Sequence, residues 1–339
     1  MSFGEVFGET GTGEPVRRVI LRGGGLTANV LSFGAILQDL RLEGHEPPLM
    51  LGFERFEDYL AHPNYFGAVI GRHANRIRNG RFGIDGKGYA IDPEHPERHG
   101  LHGGPDGYAR RNWTVDEAGE DFVTLSLADP DGLMGFPGAL ATRCTYRLGG
   151  EGALSLTLTA TADKPTLCNL TSHAYFNLED GGETDTGDHQ LAIFADAYLP
   201  VDGDLIPTGA VTPVAGTDFD FREPRKIRPM PEADLIRYDN NFCLSSARRE
   251  ISLAARAQAG KSGVEMEVWT TEPGVQFYAG HYVDLDAIGL GGRRYRPFSS
   301  FCLEAQIWPD SPNQPYFPQA VLRPGETYRH VTEFRFRCA

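Results

Sequence analysis

The chain has 339 residues and a formal net charge of −14, from 32 basic and 46 acidic side chains. A chain of this length buries roughly three quarters of the surface that its unfolded form exposes, so its core requires neither disulfides nor a metal. The acidic excess argues against nucleic acid and anionic membranes as partners. It fits a protein that binds a neutral or cationic small molecule.

Cysteine usage and the first residues indicate the compartment. The five cysteines are odd in number and include no C-x-x-C pair, which is typical of reduced, buried thiols. The first residues, MSFGEVFGET, lack the basic and apolar regions of a signal peptide. No apolar run approaches the ~20 residues that cross a bilayer. We therefore predict a cytoplasmic protein.

Short β-rich runs, separated by many of the 41 glycines and 23 prolines, extend along the whole chain. Apolar–polar alternation and β-branched content predict strands at Val16–Leu21, Leu26–Phe33, Ala35–Leu42, Tyr65–Ile70, Phe122–Ala128, Ala139–Leu148, Ala153–Ala162, Ile251–Ala257, Val264–Thr270, Pro273–Gly280 and Thr327–Arg337. One short helix is predicted over Glu54–His62, ended by Pro63. Strand–helix–strand alternation is missing, which disfavours a Rossmann fold or a TIM barrel. The pattern predicts an antiparallel all-β sandwich over residues 1–339 as a single domain.

A cluster of arginines and amides follows the strand that ends at Gly71. Arg72 lies just past the strand end, where a side chain that faces a site is expected, and its guanidinium is a rigid fork of donors for hydroxyls or carboxylates. Asn75 is a second candidate. Arg76 and Arg78 are interpreted as residues that tie loops together or balance surface acids.

Three histidines, His95, His99 and His102, have a spacing that invites a zinc interpretation. Pro96 and Gly100 would interrupt a helix that brought His95 and His99 to one face, so the sequence predicts no metal site. His102 differs because Gly103 and Gly104 follow it, which predicts a tight turn that a ligand can approach closely.

Three further polar residues lie in apolar strand-like segments. His173, among Leu170, Tyr175 and Phe176, is interpreted either as a satisfied core residue or as a histidine in a dry pocket with aromatic walls and a tuned proton affinity. Asp239 is either a turn residue or a site residue. Gln276 lies in the middle of a predicted strand.

The segment 301–318 carries a single acid, Glu304, where a buried strand meets a loop with four prolines. Such a loop cannot continue as a helix or a central strand. A carboxyl held there is partly desolvated, which raises its pKa and suits a general base. The alternative is a structural acid paired with a nearby arginine.

Together these segments resemble the aldose 1-epimerase (galactose mutarotase) family over nearly the whole chain. The resemblance lies in motifs that occur in the same order, namely LGF at 51–53, GRHANRI at 71–77, LHGG at 101–104, SHAYFNL at 172–178, LPVDGDLIPTG at 199–209, YDNNF at 238–242, PGVQFYAG at 273–280 and the segment 304–318. It implies a large antiparallel β-supersandwich with an open sugar cleft. The implied activity is interconversion of the α and β anomers of free aldoses, without a cofactor or metal. The implied partner is a small aldose, and the implied assembly is a monomer or homodimer.

The resemblance also implies roles for individual residues. Glu304 matches the general base, His173 the general acid, and His102 the second histidine beside the ring oxygen. The positions that match sugar-binding or orienting residues are Arg72, Asn75, Asp239 and Gln276. Two departures adjoin the expected cleft, because Asn240 replaces a usual histidine and His281 a frequent asparagine.

Three other functions remain open from the sequence. A glycoside hydrolase requires two carboxylates roughly 5–10 Å apart, and Asp239 is the candidate second acid. A hexose-6-phosphate 1-epimerase would require several cations around the cleft. A non-catalytic sugar-binding protein of this fold would be expected to lack Glu304 or His173, and the chain has both.

Overall fold

The structure is a computed structural model that describes residues 3–62, 64–92, 98–228 and 236–338. Within those residues, none of the helices has the length and apolar character that crossing a membrane requires. The helix α1 spans Phe56–Ala61, inside the predicted helix, and short 3₁₀ turns occur elsewhere. All other regular structure within the described residues is β.

The strands are short to medium in length and follow one another along the chain. The first thirteen are β1 (Glu5–Glu9), β2 (Pro15–Gly23), β3 (Leu26–Leu31), β4 (Leu37–Leu42), β5 (Val69–Ile70), β6 (Arg76–Ile77), β7 (Arg81–Ile84), β8 (Lys87–Ala90), β9 (Gly100–Leu101), β10 (Thr114–Ala118), β11 (Phe122–Asp129), β12 (Leu140–Gly149) and β13 (Ala153–Ala162). The remainder are β14 (Thr166–Leu167), β15 (Thr171–Ser172), β16 (Tyr175–Phe176), β17 (Gln190–Ile193), β18 (Ala197–Tyr198), β19 (Thr212–Pro213), β20 (Arg225–Lys226), β21 (Asp239–Cys243), β22 (Ser252–Gln258), β23 (Glu265–Thr270), β24 (Gly274–Tyr278), β25 (Phe301–Gln306), β26 (Val321–Leu322) and β27 (Tyr328–Arg337).

Three antiparallel sheets carry most of these strands. The largest has nine strands in the order β10-β11-β12-β13-β27-β23-β22-β17-β20. A six-stranded sheet has the order β16-β25-β24-β21-β18-β19, and β1 to β4 form a four-stranded meander. Side chains from all three sheets, such as Leu156, Phe277 and Leu40, belong to one buried apolar cluster. The predicted all-β antiparallel fold is confirmed.

The strand predictions agree closely with the structure in the large sheet and less well near residue 65. The predicted strand Ala153–Ala162 has the observed bounds of β13, and the predicted strands Ile251–Ala257 and Val264–Thr270 pair as β22 and β23. The predicted strand Tyr65–Ile70 was too long, because only Val69–Ile70 is a strand. Gly67 explains the difference: its φ is +65°, and a Cβ there would lie 2.0 Å from the carbonyl oxygen of Leu37.

The six-stranded sheet has one apolar face and one polar face. In β25, Phe301 and Leu303 belong to the main core cluster, whereas Glu304 lies on the opposite face because side chains alternate along a strand. The register places Gln276 of β24 directly opposite both Glu304 of β25 and Asn241 of β21. Polar side chains of three neighbouring strands therefore lie next to one another on one face of this sheet.

Candidate active site

A cavity of ≈ 190 Å³ lies beside this polar face of the sheet, at Asp239 and Glu304. It collects residues from many separate segments of the chain, and the described residues that line it are Asn64, Tyr65, Asn75, Arg76, Leu101, His102, His173, Tyr175, Asp239, Tyr278, Tyr282 and Glu304. Five of the seven residues predicted for the site are therefore brought together: Glu304, His173, His102, Asn75 and Asp239. Gln276 and Arg72 are the other two, and neither lines the cavity.

The turn predicted at LHGG positions His102. His102 has a φ of 53°, and Gly103 and Gly104 have φ of 85° and 90°. A Cβ on Gly103 would lie 2.0 Å from the carbonyl oxygen of Gly71, so glycine is required there. The backbone N–H of Asn75 donates to Nδ1 of His102 at 3.2 Å. Nδ1 is thereby the acceptor, and neutral His102 carries its proton on Nε2 as a fixed donor.

Glu304 and His173 meet across the cavity. His173 Nε2 lies 3.6 Å from Glu304 Oε1, and both side chains are almost fully buried. Oε2 of Glu304 is buried with no hydrogen-bond partner among the described residues. Each side chain therefore keeps an acceptor or donor site free for a bound ligand.

Burial sets the proton affinities of this pair in opposite directions. Desolvation raises the pKa of Glu304 well above its ordinary range, the charge of Asp239 raises it further, and Arg76 opposes both. Desolvation and, to a smaller extent, the charge of Arg76 lower the pKa of His173 to about 3, against a hydrogen bond with its own backbone that raises it. Since burial disfavours the charged form of either group, the empty site favours neutral Glu304 and neutral His173, a pair that holds one proton.

Asp239 is fixed at the first residue of β21 by two neighbours. Gln276 Nε2 donates to Asp239 Oδ1 at 2.7 Å, and Arg76 Nη1 lies 3.7 Å from Asp239 Oδ2. Desolvation raises the pKa of Asp239, and Arg76 and the Gln276 hydrogen bond oppose that rise. Gln276 therefore reaches the cavity only through Asp239, which it orients.

The expectation that Arg72 faces the site is wrong. Its side chain is 1 % exposed, and its Nε donates to Asp129 Oδ2 at 2.8 Å. Its Nη1 donates to the carbonyl oxygen of Gly138 at 2.8 Å, so the guanidinium ties three loops together inside the protein. The guanidinium in the cavity is that of Arg76, which the sequence analysis had interpreted as a loop tie. The roles of the two arginines are exchanged because Asn75, with a φ of 62°, turns the chain between them.

The sequence predicts aromatic residues beside His173 but does not identify Tyr65, Tyr278 and Tyr282 as part of the cavity wall. Tyr65, Tyr175, Tyr278 and Tyr282 contribute rings to it. Tyr65 and Tyr282 lie outside regular strands, although the sequence predicted a strand that began at Tyr65. The motif NYFGAV could have drawn attention to Tyr65 only through its place directly before a strand.

The two departures from the family pattern lie beside the cavity and do not line it. Asn240 Nδ2 donates to the carbonyl oxygen of Leu199 at 3.2 Å, on the face of β21 opposite Asp239. The His281 ring packs against Tyr278 and Tyr282, with centroid distances of 5.0 Å and 4.2 Å. Both differences therefore lie outside the cavity, next to residues that line it.

Of the three histidines that suggested zinc, the two that the structure describes, His99 and His102, have different surroundings. His95 lies outside the described residues, and His99 Nδ1 accepts from the N–H of Asn79 at 2.8 Å, away from the cavity. His102, His173 and Glu304 do offer ligand atoms within 4.8 Å of one another. However, the hydrogen bond at His102 Nδ1 leaves a proton on Nε2, so this ring presents a donor to the cavity and no lone pair for a metal.

Comparisons with known proteins agree with this geometry. The sequence model of the aldose 1-epimerase family matches residues 17–335. The galactose mutarotase of Rattus norvegicus is 44% identical over 98% of both chains, and the aldose 1-epimerase of Escherichia coli K12 is 37% identical over 96% of both.

Solved structures give the same result. The structure of a GalM/aldose epimerase homologue from C. elegans superposes with a TM-score of 0.88 at 31% identity, over 96% of this chain and 99% of the other. The galactose 1-epimerase of Lactobacillus acidophilus superposes with a TM-score of 0.85 at 27% identity, over 98% of both chains. The chain therefore belongs to the aldose 1-epimerase family, a family of isomerases with the galactose mutarotase fold.

Proposed function

We propose that this enzyme interconverts the α and β anomers of free aldoses by opening and reclosing the sugar ring, with Glu304 as base and His173 as acid. The observation that carries the proposal is the position of these two side chains, 3.6 Å apart at the wall of a cavity that exposes both. Ring opening requires one proton removed and one donated at neighbouring atoms. A carboxylate and an imidazole at this separation supply both.

Ring opening transfers one proton to Glu304 and one proton from His173. The reactive form of the pair is the minor one, in which the proton has moved from Glu304 to His173, so that Glu304 is ionised and His173 is protonated when the ring opens. The carboxylate takes the proton of the C1 hydroxyl, the C1 to ring-oxygen bond breaks, and the imidazolium protonates the ring oxygen as the aldehyde forms. Glu304 and His173 are now both neutral, which is the form that burial favours. Rotation about the C1–C2 bond and the reverse transfers give the other anomer.

The remaining cavity residues bind and orient the sugar in this proposal. His102 offers its Nε2–H as a donor beside the reacting oxygens, because its Nδ1 is occupied by the N–H of Asn75. Arg76 and Asp239 offer a donor and an acceptor for hydroxyls, and Gln276 holds Asp239 in place. Two of the predicted sugar ligands, Asp239 and Asn75, keep that role, whereas Arg76 replaces Arg72.

The charges of the cavity favour an uncharged substrate. Arg76 is the one cationic side chain among its described lining residues, and Asp239 lies close to it. Two carboxyl groups, Glu304 and Asp239, face the same space, so a sugar phosphate would meet like charge. This argues against a hexose-6-phosphate substrate. Because the mammalian relatives are named galactose mutarotases, we place galactose first in the substrate panel.

Polarimetry of freshly dissolved α-anomers tests the proposal. We expect the enzyme to accelerate mutarotation of galactose, and of other neutral aldoses to differing extents, with little effect on glucose 6-phosphate. Release of phenolate from nitrophenyl glycosides would instead indicate a hydrolase that uses Glu304 and Asp239 together. Binding of galactose without any acceleration would indicate a non-catalytic binding protein.

The exchange of roles between the two arginines predicts opposite effects of their removal. Arg72→Met should lower the free energy of unfolding by about 3 kcal/mol, because it leaves Asp129 buried with a weaker set of partners. Its KM should stay close to that of the wild type. Arg76→Met should raise KM and lower kcat, with a small change in thermal stability. Thermal unfolding and polarimetric kinetics on both variants check this, and a large KM increase in Arg72→Met would contradict the assignment.

A further inference from the structure

The two histidines of the cavity are held in different ways. Asn75 donates to Nδ1 of His102, whereas Nδ1 of His173 is buried and finds no hydrogen-bond partner in any other described residue. A hydrogen bond between the His173 side chain and its own backbone raises the pKa of the ring but supplies no partner from another residue. The hydrogen bond on the second ring nitrogen usually sets the tautomer and orientation of a functional histidine. The His173 ring must therefore be oriented by something else.

Two tyrosine rings stack on His173. The ring of Tyr175 lies 4.8 Å from it, centroid to centroid, at an interplanar angle of 8°. The ring of Tyr65 lies 5.7 Å away at an angle of 15°. His102 meets His173 edge to face at 5.2 Å and also contacts Tyr65. We call Tyr65 and Tyr175 the tyrosine pair.

The stacking also affects the charge of His173. The face of an aromatic ring attracts a cation, more strongly where water is excluded. The charged and titratable groups around the ring are Glu304 at 3.6 Å, the His102 ring, and Arg76, whose charge opposes protonation. Burial and Arg76 thus act against the imidazolium that ring opening needs. Glu304 and the tyrosine pair act in its favour.

We propose that Tyr65 and Tyr175 are positioning residues of the epimerase: they fix the plane of the His173 ring and stabilise its protonated form. The proposal rests on the proposed function, since it concerns the acid of that reaction. The tyrosine pair thereby takes the part that a hydrogen-bonding partner plays for other catalytic histidines. Stacking also shifts the proton from Glu304 towards His173, because it lowers the free energy of the ion-paired form and not that of the neutral form.

Tyr65 is the residue to test. Tyr175 is buried and packs on Phe66 and Tyr278, so its removal would disturb the core. Tyr65 is only partly buried and lies at the cavity wall. Tyr65→Leu removes the aromatic face and should lower kcat about ten-fold. Because the imidazolium is less stabilised, the acidic limb of the kcat/KM profile should move to lower pH.

Two further variants separate the proposal from a loss of shape. Tyr65→Phe keeps the ring, so kcat and the acidic limb should stay near their wild-type values. Tyr282→Leu removes a cavity tyrosine that has no ring contact with His173, so KM should rise while the acidic limb stays in place. An equal loss in Tyr65→Phe and Tyr65→Leu, or an unmoved limb in Tyr65→Leu, would overturn the proposal. A wild-type enzyme without mutarotase activity would overturn the proposed function itself.

Discussion

Glu304→Gln should lower kcat by about 10³-fold while KM changes little, because glutamine keeps the size and hydrogen bonding of the side chain and loses the base. The carboxylate matters mainly while the C1 proton is in transfer, so its loss affects the transition state more than the bound sugar. Polarimetric progress curves at saturating galactose measure the effect. A variant that keeps more than a tenth of the wild-type kcat would remove Glu304 from its role.

The same substitution should stabilise the protein. Burial raises the pKa of Glu304 above the value of 4.5 that an unperturbed glutamate has. Between that value and the raised one, the native state binds a proton that the unfolded chain has released, so the free energy of unfolding falls as pH rises. Glutamine has no such dependence. We expect Glu304→Gln to melt at a higher temperature than the wild type at neutral pH, with the difference disappearing below about pH 4.5.

Glu272 offers a matched control. It is fully buried like Glu304, but its Oε1 accepts from Nε of Arg248 at 2.6 Å, and it does not line the cavity. Glu272→Gln should lower the free energy of unfolding, because it weakens a buried ion pair. Its kcat should stay near the wild-type value. A lower kcat with higher stability in Glu304→Gln, and an unchanged kcat with lower stability in Glu272→Gln, would distinguish a functional carboxyl from a structural one.

How far the sequence determines this site depends on which property is considered. Alternation placed the long strands well, because β12 and β13 have one buried and one wetter face. The neighbouring residues in the sequence also identified Glu304 and His173 as polar residues in apolar strands. The register that sets Gln276 opposite Glu304 depends on pairing between segments that are distant in sequence, which periodicity along one strand does not specify.

The arginines show a second limit. Arg72 and Arg76 both lie close to strand ends, four residues apart, and their residue type gives each the same capacity to bind hydroxyls. What separates them is backbone geometry, since the positive φ of Asn75 redirects the chain. The position of the partner also separates them, since Asp129, which binds Arg72, lies on a strand 57 residues further along the chain. Such a choice is made by tertiary contacts and not by local pattern.

The tyrosines show a third limit. Tyr65 and Tyr175 are more than a hundred residues apart in the sequence, and in the fold both rings stack on His173. In the sequence each is an ordinary aromatic residue, of the kind that most often fills a core. Their relation to the acid appears only when ring planes and distances are known.

His173→Asn should lower kcat by roughly 10²- to 10⁴-fold, because the asparagine amide can donate a hydrogen bond to the ring oxygen but cannot transfer a proton to it. KM should change less, since the amide fills part of the same space. Polarimetry over a range of galactose concentrations measures both constants. An unchanged kcat would assign the acid to another group, with His102 the nearest candidate.

The pH dependence of stability gives an independent measure of His173. Burial lowers its pKa from 6.5 to about 3, so the unfolded chain takes up a proton that the native state refuses. The stability contributed by neutral His173 is present above pH 6.5 and is lost as pH falls towards 3. His173→Asn should therefore lose less stability than the wild type over that range.

His73 is the matched control for that measurement. It is buried with both ring nitrogens unpartnered among the described residues, its pKa is also lowered to about 3 by burial, and it does not line the cavity. His73→Asn should show the same reduced loss of stability in acid and keep a kcat close to that of the wild type. If only His173→Asn loses activity, burial and a low pKa, which both histidines share, do not by themselves make a histidine catalytic. The difference then lies in what each ring faces, because only His173 looks across a cavity at Glu304.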